Sequence, residues 1–401
     1  WKAGDAITSG YKNCAVGSEA LPNVNSGHNN VAMGWEAARS LTSGSNNVCL
    51  GSMAGRSLGS GTYNIALGTH ALSNDGSPTR CIGLGGDSVF LGGTDVIGIG
   101  QGTMMREHTG GIGIGYRAGR NNTGDYSIYI GYDAGYGTGS SPYGQGDNNI
   151  GLGYKTLNSV ESAYANVAIG SSTGKSITSG YENVAVGYNA LNSTTTGRYM
   201  VCLGSEAGAN MSTAWKNIAI GWKAGHSVQA GDSNILIGPE AGDAIVNSND
   251  NIAIGRDALG RATNGADNTV IGANANNNSV NGTTSGSNNT VIGHDANPSS
   301  NSVSNEITLG SSSVTKFRVP GINLALPVIS GTASNSTFLR GDGAWASGVS
   351  GAQGAQGATG STGAAGAQGA QGVQGAAGSN GSNGSTGAQG HQGVQGATGS
   401  G

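Results

Sequence analysis

Four cysteines, Cys14, Cys49, Cys81 and Cys202, are the side chains of this sequence best suited to covalent or metal chemistry, and their spacing argues against both. No CxxC and no Cys–His pair stands at ligand spacing, so the signature of a zinc site is missing. They read instead as buried thiols that serve as small apolar residues. The six histidines, His28, His70, His108, His226, His294 and His391, fall at different places in the repeat described below and cannot stack into one column of ligands. The 22 Asp and Glu are dispersed. Paired carboxylates in a groove, the equipment for cleaving polysaccharide, are therefore not indicated. GxSxG, HExxH and P-loop motifs do not occur, and "GIGIG" at 111–115 precedes no helix, so it is not a dinucleotide turn. The expectation is no catalytic residue, no metal, no cofactor and no enzyme.

Binding chemistry has two candidates. Tyr126, Tyr129, Tyr136 and Tyr143 crowd into one irregular stretch and are the expected surface-binding residues. Arg340-Gly341-Asp342 is a literal RGD, a tripeptide that some cell-surface receptors read on exposed loops. It is equally a turn before Trp345, and the turn reading is preferred. Seven further aromatics, Trp1, Trp35, Tyr116, Tyr132, Tyr154, Tyr188 and Trp222, follow a recurring glycine directly. That regularity favours a structural place at a corner over sugar stacking.

The elements that carry these residues follow from one repeated phrase. "NIAIG" at 217–221 returns as "NILIG" at 234–238. Its closing glycine stands at 17, 34, 51, 68, 85, 100, 115, 131, 153, 170, 187, 204, 221, 238, 255, 272, 293 and 310, and 12 of the 17 intervals are 17 residues. The exceptions are 15, 15, 16 and 22 between Gly85 and Gly153, and 21 between Gly272 and Gly293. Three before the glycine, 17 of 18 residues are β-branched; one before, all are aliphatic or Met; between them 13 of 18 are Ala, Gly or Cys. Five residues with period-2 alternation, β-branching and a terminal Gly spell a short strand. One such strand cannot bury a face alone, but stacked parallel copies can, which is the logic of a β-solenoid. Asn four before the glycine, in 12 of 18 phrases, suits a hydrogen-bonded amide ladder. The anchors, Gly17, Gly34, Gly51, Gly170, Gly187, Gly204, Gly221, Gly238 and Gly255 among them, suit a corner with φ above zero. Ala20, Ala37 and Ala54, three residues beyond, suit a tight inner turn. At about 4.8 Å per coil the stack is on the order of 80 Å long.

Composition agrees with a regular fibre more than with ordinary globules. Gly supplies 77 of 401 residues, charged residues 10% and aromatics 5%. Net charge is −4 and the 18 Lys and Arg form no run, so nucleic acid is excluded as an expected partner. No apolar stretch approaches the roughly 18 residues of a membrane span, so membrane insertion is not expected. Trp1-Lys2-Ala3-Gly4 matches Trp222-Lys223-Ala224-Gly225, which implies that the chain begins in mid-repeat.

From Gly351 to Gly399 glycine takes every third position, giving 16 full Gly-X-Y triplets. Only Gly fits the crowded axis of a collagen triple helix, and a flexible linker has no need of that register. The tail lacks Pro, Lys, Arg, Asp and Glu, so a neighbour must hold three chains together. The solenoid is the expected clamp, as a homotrimer in which the small strand residues, such as Ala15, Ala32, Cys49 and Ala66, approach a three-fold axis. The small residues facing solvent is the other assignment. "KFRVPGINLALPVISGTASNSTFLRGDGAWAS" at 316–347 reads as a neck between the two packings.

The N-[TIV]-A-[IV]-G phrase, "NEITLGSSSVTKFRVPG" at 305–321, "STFLRGDGAWA" at 336–346 and the collagen run together resemble bacteriophage tail fibres. That resemblance covers essentially the whole chain and implies a homotrimeric virion fibre reaching toward host-surface glycan or protein. The phrase also resembles the β-roll heads of trimeric autotransporter adhesins, whose repeat is usually shorter. A collagen-bearing bacterial surface or spore filament is a third possibility. The expected organisation is an all-β parallel solenoid shaft over 1–315 with irregular coils at 85–153, a neck over 316–350 and a collagen-like segment over 351–401. The expected function is a structural, extracellular fibre that spaces and presents an attachment tip, and the alternative is a glycan- or receptor-binding surface adhesin.

Overall fold

The computed structural model describes residues 2–5, 7–73, 77–89, 93–104, 109–138, 146–277, 285–319, 322–324, 337–339 and 345–347. Contacts divide the chain into two units, Trp1–Ser313 and Val314–Gly401. The first is a parallel β-solenoid. Its strands, β1 (Cys14–Val16) to β18 (Ile307–Leu309), are each three residues long and form one 18-stranded sheet in sequence order. Pairing is parallel and in repeat register: Ile218, Ala219 and Ile220 of β13 sit beside Ile235, Leu236 and Ile237 of β14. The register holds through the short coils, where Gly83, Gly98 and Gly113 align. In the second unit, Phe317–Val319 (β19) pairs antiparallel with Ile322–Leu324 (β20), and Thr337–Leu339 (β21) with Trp345–Ser347 (β22).

Alternation decides what each strand buries, and it does so in the sense opposite to expectation. The middle residue points into the coil: Ala32, Cys49, Ala66, Ala219 and Ala253 are wholly buried. Inside, it meets the Ala three residues after the anchor and the aliphatics of the return segment, such as Leu41, Leu58, Val228 and Ile245. The β-branched and aliphatic flanking residues point outward, and many remain more than a third exposed. Small residues therefore face neither a three-fold axis nor solvent. Space between the strand and its return wall is short, which is why Ala, Gly and Cys recur there, and Leu236 and Val270 are the larger side chains that a 17-residue coil also encloses at this position.

Two devices hold the stack. The anchor glycines named above have φ between 122° and 141°, outside what other residues adopt. A Cβ on Gly221 would lie 2.5 Å from the carbonyl oxygen of Gly238 in the next coil. The asparagines form the anticipated ladder. Asn234 donates from its backbone N–H and its Nδ2 to Asn217 Oδ1 (2.8 and 3.0 Å), and Nδ2 also reaches the Ser248 carbonyl at 2.9 Å. Its Oδ1 in turn accepts from the N–H and Nδ2 of Asn251 at 3.0 and 3.1 Å. Replacing Asn234 by Ala leaves the buried Ser248 carbonyl and the Asn251 N–H unpartnered, at about 1–3 kcal/mol apiece. Amide hydrogen exchange in the coils around residues 217–251 should report a local stability about 3 kcal/mol lower in Asn234→Ala.

Candidate functional site

The outward residues of the solenoid strands line up as two adjacent rows of aliphatic side chains. Val16, Met33, Ile99, Ile130, Ile169, Val186, Ile254, Ile271 and Ile292 belong to the row just before the anchor and are 36–50% exposed. Ile65 and Val184 belong to the other. No side chain of the described solenoid residues covers them enough to make a core. Exposed apolar surface of this continuity is rare on a monomer and marks an interaction face.

The stripe has two edges, set by residues in left-handed backbone conformation. On the leading edge stand the two residues before the ladder position, exemplified by Tyr11-Lys12, Arg198-Tyr199 and Trp215-Lys216; on the trailing edge stand the two after the anchor, such as Tyr154-Lys155 and Trp222-Lys223. Lys12, Tyr199, Lys216, Lys155 and Lys223 have φ between 52° and 58°, which turns their side chains out beside the stripe. Aromatic rings and cations share these edges. Tyr164 stacks on Tyr181 at 4.7 Å, the Arg198 guanidinium lies 5.6 Å from the Tyr181 ring and 5.2 Å from Trp215, and Lys216 Nζ lies 4.5 Å from Trp215. Trp215 donates its indole N–H to Asp232. On the trailing edge Tyr116, Tyr132 and Tyr154 stack at 5.1 and 5.6 Å, with Arg117 over Tyr116, Tyr132 and Tyr136 and paired to Asp133 at 2.8 Å. Three of the aromatics that follow an anchor thus build an exposed column whose faces are used on one another, while Trp35, Tyr188 and Trp222 are about half exposed outside that column.

The expected tyrosine cluster is only partly a surface. Tyr126 is 61% exposed before β8 (Ile128–Ile130), and Tyr136 is half-buried after it. Tyr129 is corrected: it is fully buried at the middle position of β8 (Ile128–Ile130). Gly113 and Gly151 on either side leave room for its ring, and Asn122 Nδ2 donates to its oxygen at 2.7 Å. Burial pushes its hydroxyl up to about 12. Tyr143, Arg340, Gly341 and Asp342 lie outside the described residues. Of the cysteines, Cys49, Cys81 and Cys202 are buried, and burial pushes Cys49 and Cys202 up to about 12. Cys14 is exposed because it occupies an outward strand position.

One open cleft of about 470 Å³ lies where Gly260 leaves a gap between Asp243 and Asn277, beside Glu240, Asp257 and Arg261. Among the described residues no group of three or more His, Cys, Asp or Glu is placed to hold a metal. Burial, then the charges of Glu240 and Asp257, raise Asp243 from the ordinary 3.8 to about 6. A carboxyl raised on folding contributes stability in full below its unfolded pKa and loses it as pH rises through the folded one. Asp243→Asn should therefore melt higher than wild type at pH 7, and the difference should vanish as both are taken toward pH 4.

Residues 345–401 match the family described as collagen triple helix repeat (20 copies). The chain thus joins a solenoid of about 17 residues per coil to a collagen repeat, the make-up of a structural fibrous protein. No curated protein matches it.

Proposed function

We propose that this chain is a non-enzymatic shaft of a homotrimeric extracellular fibre, and specifically of a bacteriophage tail fibre that spaces and presents a host-attachment tip. The observation that carries the reading is the aliphatic stripe, open along the whole solenoid of a chain that ends in Gly-X-Y triplets. A collagen triple helix takes three chains, and three copies of the stripe turned inward would remove it from water along its full length. Residues 1–315 then form the shaft, 316–350 the neck and 351–401 the collagen-like extension. The order of solenoid, "FLRGDGAWA" phrase and collagen run supports the tail fibre in particular. The adhesin reading needs aromatic faces for a sugar; the Tyr116, Tyr132 and Tyr154 rings turn theirs to one another, which leaves Trp35, Tyr63, Tyr126 and Tyr188 as the exposed rings such a reading would use.

Light scattering on the full chain should return three times the chain mass of 39.3 kDa, with no binding on a glycan array. A folded monomer would overturn the fibre reading, and glycan binding retained by the trimer would move the function to adhesion.

A further inference from the structure

Sheet, asparagine ladder and buried core do not run unbroken over the same coils. A regular ladder step carries two bonds, as where Asn64 donates from its N–H and Nδ2 to Asn47 Oδ1 at 3.0 and 2.9 Å. After Asn64 the next four ladder positions are Cys81, Val96, Gly111 and Ser127, none with a side-chain amide. Cys81 still takes part, its N–H bonded to Asn64 Oδ1 at 3.0 Å and its thiol to the Gly93 carbonyl at 3.2 Å. Ser127 restarts the column by accepting the N–H of Asn149 at 3.1 Å. Val96 and Gly111 have no polar side-chain atom, so the steps from Val96 to Gly111 and from Gly111 to Ser127 lack any side-chain rung. The interior thins over the same coils. Gly83 of β5 (Ile82–Leu84), Gly98 of β6 (Ile97–Ile99) and Gly113 of β7 (Ile112–Ile114) hold the middle strand position and send no side chain inward. One cluster of buried apolar residues ends at Met104 and the next begins at Ala118. Across that step Met104 reaches Gly113 and Gly119, which have no side chain to answer it.

Two other lapses are single. Between Ile177 and Ala185 the core clusters part again, but there Asn183 Nδ2 donates to Asn166 Oδ1 at 2.9 Å. At Met200 the ladder skips one coil, but Met200 is itself buried in a cluster that runs from Ala185 to Ala296. Among the described residues, ladder and core lapse together only between β6 and β7. What crosses that step is backbone: the two strands stay paired in register, and the parallel bridges of Thr62, Thr79, Thr94 and Thr109 run along the preceding corner. We propose that the step from β6 to β7 is a joint built into the shaft, where it opens and yields first while the blocks on either side stay closed. In a stack each coil touches only its neighbours, so stability adds step by step and the weakest step decides where it gives. Because the sheet is continuous there, the joint can open and close again without a change of register. The inference stands on the fold of one chain and is independent of how many chains assemble.

Amide hydrogen exchange on the full chain tests it on bonds of one kind. The Ile97 N–H is bonded to the Gly111 carbonyl and the Ile112 N–H to the Ser127 carbonyl, each at 2.9 Å. Their counterparts in the flanking blocks are the Val48 N–H on the Asn64 carbonyl at 2.9 Å and the Ile252 N–H on the Asn268 carbonyl at 2.7 Å. The first two should exchange at least about tenfold faster than the second two, the effect of two missing hydrogen bonds per step. Cys81→Asn combined with Val96→Asn and Gly111→Asn, which extends the ladder from Asn64 to Ser127, should slow the Ile97 and Ile112 amides toward the rate of Val48. Equal rates at Ile97, Ile112 and Val48 in wild type would overturn the joint. So would a folded triple variant in which Ile97 and Ile112 exchange as fast as before. The wild-type comparison decides by itself where the triple variant does not fold.

Discussion

Gly221→Val should split the solenoid into two independently melting blocks. The anchor at 221 has φ of 133°, and a Cβ there would lie 2.5 Å from the Gly238 carbonyl oxygen, 2.6 Å from its carbon and 3.0 Å from Pro239 N. All three obstacles are backbone, so no side-chain rotation relieves them. Backbone strain in this region costs about 1–3 kcal/mol for a residue with a Cβ, and a shifted coil also loses its strand and ladder hydrogen bonds. A total of about 4 kcal/mol or more is expected. In a stack where each coil touches only its neighbours, such a defect removes one nearest-neighbour term and uncouples the two sides. Hydrogen exchange should show lost protection centred on residues 204–238, with coils near Gly34 and Gly272 unchanged, and the melt should become biphasic. A single transition at the wild-type temperature would mean that the corner tolerates a side chain and that the glycine column has another cause.

Much of this was legible in the sequence because it is enforced by local geometry and repeated coil after coil. The strand phrase, the asparagine ladder and the anchor glycines each have one structural solution at a fixed spacing. Which face of the strand points inward was not legible from alternation alone, because a three-residue strand with two large residues and one small one alternates equally well either way. The deciding signal lay elsewhere in the coil: Ala224 and Val228 after the anchor already pack the interior, so the strand completes that core with its one middle residue, Ala219, and turns its two large ones outward. Tyr129 was misjudged by the same reasoning. Its strand position marks it as an inward residue, and the glycines aligned at Gly113 and Gly151 are what admit a ring. The edges were missed because their residues become neighbours only once the stripe between them is known to face outward.

On the proposed trimeric assembly, Ile254→Lys combined with Ile271→Lys should leave the chain a folded monomer. Both side chains are outward, each 37% exposed, so the substitution removes no contact on which the coil interior depends. In the proposed trimer it acts three times over, setting six ammonium groups where aliphatic side chains would meet. Burying an Ile side chain contributes roughly 1.5–3 kcal/mol, and an unpaired buried charge costs several more, so the loss per trimer far exceeds what the remaining stripe can offset locally. Circular dichroism should keep its β signature while light scattering falls to the mass of one chain. Ala219→Trp provides the opposite case. Ala219 is wholly enclosed by its own coil, so an indole there overpacks the interior and should unfold neighbouring coils at any state of assembly. Lysine variants that remain trimeric, or an Ala219→Trp chain that folds normally and only fails to assemble, would show that the aliphatic rows are not the face on which the chains meet.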